Sequence, residues 1–244
     1  MKRQLKKLGN KQFAEDIKNF IKAPHEFYGK RVPEMKTLAK RLHEEYPLKD
    51  FYKVFNRLWK SGYQGEASLA LHTLQLYKEE YDLNTWKFLK PKFKEITNWD
   101  KSDILGKEII GHILLKYPKL TKEIIRLSKT KNLWIKRMMI HATVQLAKNK
   151  NIKPALLLIE GELYNKDENI QIANGIVLRD IGKMKSEEIK RFILKHIQMP
   201  LTTFTIATEH MKELRRVRKL KKLKGDKNKG FFWRLVNNGK RIQL

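Results

Sequence analysis

Phe51-Tyr52-Lys53-Val54-Phe55-Asn56-Arg57-Leu58 places apolar side chains at 51, 54, 55 and 58, the i, i+3, i+4, i+7 spacing that lines one face of an α-helix. Met35, Leu38, Ala39 and Leu42 repeat the pattern upstream. Downstream the same period predicts helices over about 66–81, 84–95, 99–116, 119–129, 132–148, 152–163, 168–182, 186–197 and 201–222. Breaks fall where Pro, Gly or Asn intervene, at Pro47, Gly62, Pro118, Asn149 to Asn151 and Pro200. No stretch shows the period-two alternation of a strand. The helices pair at intervals of roughly 35–40 residues, the rhythm of HEAT-like arrays, in which each pair buries its apolar face against the next. The expected fold is therefore all-α, a HEAT-like helical-repeat solenoid (an α-α superhelix) with a concave basic face. Its expected extent is 1–211, followed by a basic extension over 212–244.

Charge narrows the partner. The chain of 244 residues carries 54 Lys+Arg against 26 Asp+Glu, a formal net charge of +28. An excess of this size points to a polyanion, and to nucleic acid first, because each neutralised phosphate releases condensed counterions. An anionic membrane surface is the weaker rival, since no single helix sets its basic residues opposite a Trp/Phe/Leu face. Cysteine is absent, which excludes a disulfide framework, thiolate metal ligation and a thiol nucleophile. The seven His are scattered without ligand spacing, so no metal or other cofactor is expected. No apolar run approaches the roughly 20 residues that span a bilayer, and the amino terminus lacks an apolar stretch behind its charges. These features predict a soluble, cytoplasmic, DNA-associated monomer.

Against that basic background, Asn98-Trp99-Asp100-Lys101-Ser102-Asp103 stands out, two carboxylates beside an indole. A carboxylate held near a polyanion must repel it unless the chemistry requires a negative charge there. The same residues also suit an ordinary helix start. In that reading Asn98 is an N-cap, and Asp100 and Asp103 are first-turn acids facing the positive end of the helix dipole. Near the carboxyl end, Arg215, Arg216, Arg218, Lys219, Lys221, Lys222 and Lys224 form a dense basic run, which reads as a solvated tail or an electrostatic tether. Phe231, Phe232 and Trp233 follow it; three aromatics in water are costly, so they either dock on the array or meet a ligand.

Taken in order, several segments resemble the AlkD-type DNA glycosylases, the HEAT-like repeat family that excises alkylated bases. Tyr28-Gly29-Lys30-Arg31-Val32-Pro33 is similar to the family's stretch ahead of its second helix, and Leu58-Trp59-Lys60-Ser61 with Glu66 and Ala70-Leu71 looks like the next shared segment. Trp99-Asp100-x-x-Asp103 falls where that family carries a Trp with the catalytic Asp four positions on. Trp134-Ile135-Lys136-Arg137 resembles the stretch whose Arg lies beside the lesion. The resemblance implies Asp103 as the catalytic carboxylate, Trp99 against the sugar or cationic base, and Arg137 on a phosphate, with Lys30, Arg31 and Arg179 as further DNA contacts. Asp100 is read as a supporting first-turn residue, and Trp59 and Trp134 as packing residues.

Two positions depart from the family pattern. Gln171 to Arg179 aligns with a segment in which a second Trp usually completes an aromatic cleft, and here Ile176 stands in that place. Met199-Pro200-Leu201-Thr202-Thr203 lacks the Arg common near the start of the last long helix. The implied partner is double-stranded DNA containing alkylated bases. The alternatives are a noncatalytic member of the same fold that binds distorted or branched DNA, and a helical-repeat scaffold for RNA or an acidic protein.

Overall fold

The computed structural model describes residues 10–21, 26 and 32–224, and these are organised almost wholly as helices. The fold is an all-α helical repeat, as the apolar period predicts. Residues Lys30 and Arg31 and the aromatic group Phe231, Phe232 and Trp233 lie outside the described residues. The chain divides into two compact units, Met1–Leu120 and Thr121–Leu244. Among the described residues no helix is long and apolar enough to cross a membrane.

The first unit contains α1 (Lys11–Ile21), α2 (Val32–Glu45), α3 (Leu48–Trp59), α4 (Gln64–Leu74), α5 (Leu83–Leu89), α6 (Trp99–Asp103) and α7 (Gly111–Lys116). Short 3-10 turns follow α4 and α5 at Gln75–Glu80 and Lys90–Glu95. Its centre is α4, which packs against α2, α3 and α6. Ala67, Leu69, Ala70, Leu71 and Leu74 are at most 1% exposed, because its broad apolar face is stable only when enclosed. The turn into it needs a left-handed backbone, φ +81° at Gly62, a conformation glycine adopts without Cβ strain. Phe51 and Phe55, from the stretch that decides the fold, are fully buried, and Phe55 stacks on Trp59 at 5.5 Å. Trp59 is thus a packing residue, as expected.

The expected helix over 99–116 is continuous in outline but changes its winding. Residues Ile104–Ile110, directly after Asp103, form a π-helix before the α-helical ladder resumes in α7. Such segments are uncommon and concentrate at functional sites.

The second unit contains α8 (Thr121–Ser128), α9 (Leu133–Lys148), α10 (Lys153–Gly161), α11 (Glu168–Gly182), α12 (Ser186–Lys195), α13 (Leu201–Ala207) and α14 (Arg215–Lys224). Helices α9, α11 and α13 pack in succession, with α8 and α10 against α9 and α12 against α11. The closest approach is at Gly175 of α11, where an added Cβ would lie 2.7 Å from Ile206 Cβ and 3.1 Å from the Thr203 carbonyl. Only glycine permits that spacing. One expectation fails here. The predicted helix over 201–222 is broken by a turn at Thr208–His210 and a 3-10 turn at Lys212–Leu214. The Thr208 hydroxyl donates to the Phe204 carbonyl (2.7 Å) and the Thr208 carbonyl accepts from Arg218 Nη1 (3.0 Å), so the chain folds back and buries Met211 and Leu214.

Candidate functional site

Helix α6 begins where sequence places its cap. Asn98 is fully buried, and its side-chain oxygen accepts from the Lys101 backbone N–H at 3.1 Å. Its amide donates to Gln64 Oε1 at 2.9 Å, which ties the cap to α4. Gln64 Nε2 in turn donates to Asp100 Oδ2 at 3.0 Å, and the Ser68 hydroxyl donates to the same oxygen at 2.7 Å. Asp100 is therefore committed to the α4 interface by two hydrogen bonds.

Asp103 is placed differently. It lies three residues beyond Asp100 and four beyond Trp99, so Trp99 and Asp103 occupy one helix face, one above the other. Both are half-buried and retain access to solvent. The two carboxylates of one short helix thereby lie on different faces, one toward α4 and one on the face of the indole. At Asp103 the α-helical ladder ends and the π segment begins.

On the inward side of this helix Lys101 is 3% exposed, with its ammonium 5.2 Å from the centre of the Trp59 ring. The Trp59 indole N–H donates to Glu95 Oε2 at 2.7 Å. Burial lowers the Lys101 pKa from 10.5 to about 8, with the charges of Asp100 and Glu95 acting in the opposite sense. His72, one turn beyond Ser68, is also shifted downward by burial, again opposed by Asp100. Sequence reasoning missed Gln64, Ser68 and Lys101. A signal existed for the first two, since Gln64, Ser68 and His72 recur every fourth residue as a polar stripe along α4.

The remaining predicted residues gather around α11 in the second unit. Arg137, on α9, is 3% exposed and its Nη1 donates to the Asn169 carbonyl at 2.6 Å, in the first turn of α11. Its fixed contact is thus internal, in a helix whose residues from Arg137 to Ala147 are all buried. Trp134, at the start of the same helix, is half-buried. Ile176 is half-buried on α11, adjacent to the tight contact at Gly175. Arg179, one turn further, pairs with Glu209 at 2.9 Å and with Asp180 at 3.5 Å. In the segment that lacks the expected Arg, Thr203 is fully buried and donates to the Gln171 carbonyl at 3.0 Å, holding α13 on α11.

Comparison with known proteins adds an independent line. Residues 1–211 match the model of a family described as DNA alkylation repair enzyme. A solved chain described as a predicted DNA alkylation repair enzyme from Enterococcus faecalis is similar at 16% identity with a TM-score of 0.73, covering 84% of this chain and 97% of that one. AlkD2 from Streptococcus mutans is similar at 16% identity with a TM-score of 0.57, covering 83% of this chain and 99% of that one. At such identities the structural likeness speaks for the fold alone. No curated protein matches the chain.

Proposed function

Because the chain belongs to the DNA alkylation repair enzyme family, we propose that it is a DNA glycosylase of base excision repair, hydrolysing the N-glycosidic bond of cationic alkylated purines such as 3-methyladenine and 7-methylguanine. The observation that carries this reading is the division of labour on α6. Asp100 is held by Gln64 and Ser68, while Asp103 shares the half-exposed face of Trp99.

Alkylation at N3 of adenine or N7 of guanine makes the base a cation, so the bond is already weakened and the leaving group needs no proton. What remains is positive charge growing at C1′ as the bond lengthens. A fixed carboxylate stabilises that oxocarbenium character and orients the attacking water, as in glycoside hydrolysis. In this reading Asp103 is that carboxylate. Trp99 contributes an indole face to the cationic base or sugar, worth about 0.5–2 kcal/mol depending on desolvation. Ile176 and Arg179 are assigned to the DNA-facing part of α11, and Arg137 to fixing the start of that helix. The electrostatics follow: a carboxylate is tolerated against the phosphates of the duplex because its negative charge is matched to the transition state.

A second reading, a noncatalytic binder of distorted or branched DNA, is favoured by two observations. Ile176 stands where the family pattern has an aromatic residue, and the Arg137 guanidinium is buried. Incubating the purified protein with methylated duplex and measuring free base decides between them. Release of 3-methyladenine or 7-methylguanine supports the glycosylase; duplex binding without release refutes it in favour of the second reading.

A further inference from the structure

The family match ends at residue 211, and the helix that follows has two unlike sides. On one, Val217 is 3% exposed and Lys221 1% exposed, with the Lys221 ammonium 5.8 Å from the centre of the buried Phe204 ring of α13. Arg218 Nη1 donates to the Thr208 carbonyl at 3.0 Å, and Leu214, just ahead of the helix, is fully buried. Helix α14 is thus docked on the second unit by its own side chains.

On the other side, Arg215, Arg216, Lys219 and Lys222 are all exposed. At about 100° per residue they span an arc of roughly 120°, centred away from Val217 and Lys221, and they extend about 10 Å along the axis. The helix contains no acidic residue. The two carboxylates that precede it in sequence have other partners, Glu209 pairing with Arg179 at 2.9 Å and Glu213 with Lys190 at 3.8 Å. Among the described residues the four cations form no ion pair. Four like charges on one rigid stripe repel each other, and a polyanion relieves that repulsion. Successive phosphates of one strand rise by about 3.4 Å, so a stripe of this length faces about three of them.

We propose that α14 is a duplex-binding surface additional to the lesion site, gripping the phosphate backbone without regard to sequence or damage. The proposal rests on the family's DNA substrate and not on glycosylase chemistry. Helix α14 supplies electrostatic affinity through Arg215, Arg216, Lys219 and Lys222, while Val217, Lys221 and Arg218 keep the stripe rigid.

The test is the full chain carrying Arg215→Gln, Arg216→Gln, Lys219→Gln and Lys222→Gln, bound to undamaged duplex and followed by fluorescence anisotropy between 50 and 200 mM salt. Loss of three phosphate contacts makes the slope of log K against log[salt] shallower by about 2.7. The wild-type advantage then shrinks about 40-fold across that range. The two half-variants, Arg215→Gln with Lys219→Gln and Arg216→Gln with Lys222→Gln, divide the slope change between them, and each keeps the buried side intact. Unchanged slopes in all three variants overturn the proposal. So does a loss of binding to anionic phospholipid vesicles with duplex binding intact, which would assign the stripe to a membrane surface. Because the duplex is undamaged, either result leaves the base-release reading standing on its own assay.

Discussion

Replacing each of the two α6 carboxylates by its amide separates a structural acid from a chemical one. Asp100 Oδ2 accepts from Gln64 and Ser68 at 3.0 and 2.7 Å. Bonds to a charged group contribute about 1.5–3 kcal/mol and bonds between neutral groups about 0.5–1.5, so neutralising this acceptor weakens each by about 1 kcal/mol. Asp100→Asn is therefore expected to lower unfolding free energy by about 2 kcal/mol, read as a shift of the urea midpoint at constant slope. Its single-turnover rate of base release should change little. Asp103→Asn is expected to do the reverse. Removing a carboxylate that stabilises charge only in the transition state should reduce release about 100-fold, equivalent to about 2.7 kcal/mol of barrier. Its stability should change less than that of Asp100→Asn, and its duplex affinity should hold or rise as repulsion of phosphate is relieved. If Asp100→Asn abolishes release at unchanged stability while Asp103→Asn remains active, the assignment is inverted and the reasoning from the α4 contacts is refuted.

Two further outcomes are expected. Ile176→Trp should raise single-turnover excision a few-fold, as one cation–π contact of about 0.5–2 kcal/mol is restored. A folded variant, judged by its melting temperature, that shows no gain would remove this position from the site; overpacking beside Gly175 is the competing cost, about 1–3 kcal/mol. Lys101 should impose a pH dependence on stability. Its pKa falls from 10.5 unfolded to about 8 folded, so between those values the unfolded chain binds more protons and stability rises with pH. The rise is up to about 3 kcal/mol, and the penalty of burying the charge is fully present below pH 8. Lys101→Met should flatten that rise in urea titrations from pH 7.5 to 10.5; an unaltered profile would show that the ammonium is not the group responsible.

Much of the fold was legible because burial on a helix has a period. The apolar positions of α2, α3, α9 and α11 are spaced every three or four residues, and breaks at Pro47, Gly62 and Pro200 mark where that period cannot continue. The broken segment over 201–222 was not legible. Its turn at Thr208–His210 lacks Gly and Pro, and the contact that holds it, Arg218 to the Thr208 carbonyl, is tertiary. Of the site, the Asn98 cap and the placement of Trp99 and Asp103 on one face follow from local sequence. The commitment of Asp100 does not, because its partners lie 36 and 32 residues away. For Arg137, the contact of its Nη1 with the Asn169 carbonyl does not follow from local sequence either, because that partner lies 32 residues away.

The π-helix at Ile104–Ile110 gives this chain a local tolerance of length. A ladder closed from i to i+5 accommodates one residue more per turn than the α-helical ladder on either side. Deleting a single residue from that stretch would let the winding relax to ordinary α-helix without shortening the axis by more than about 1.5 Å. Because the wider turn already absorbs one extra residue, its removal would leave the Trp99 and Asp103 face directed as before relative to α7, whereas a deletion from the α-helical residues on either side would swing that face by about 100°. Composition, charge and apolar period would all survive such a deletion. The π turn thus frees the direction of the site face from the exact number of residues before it, and a one-residue deletion between 104 and 110 should disturb that face less than one within α6 or α7.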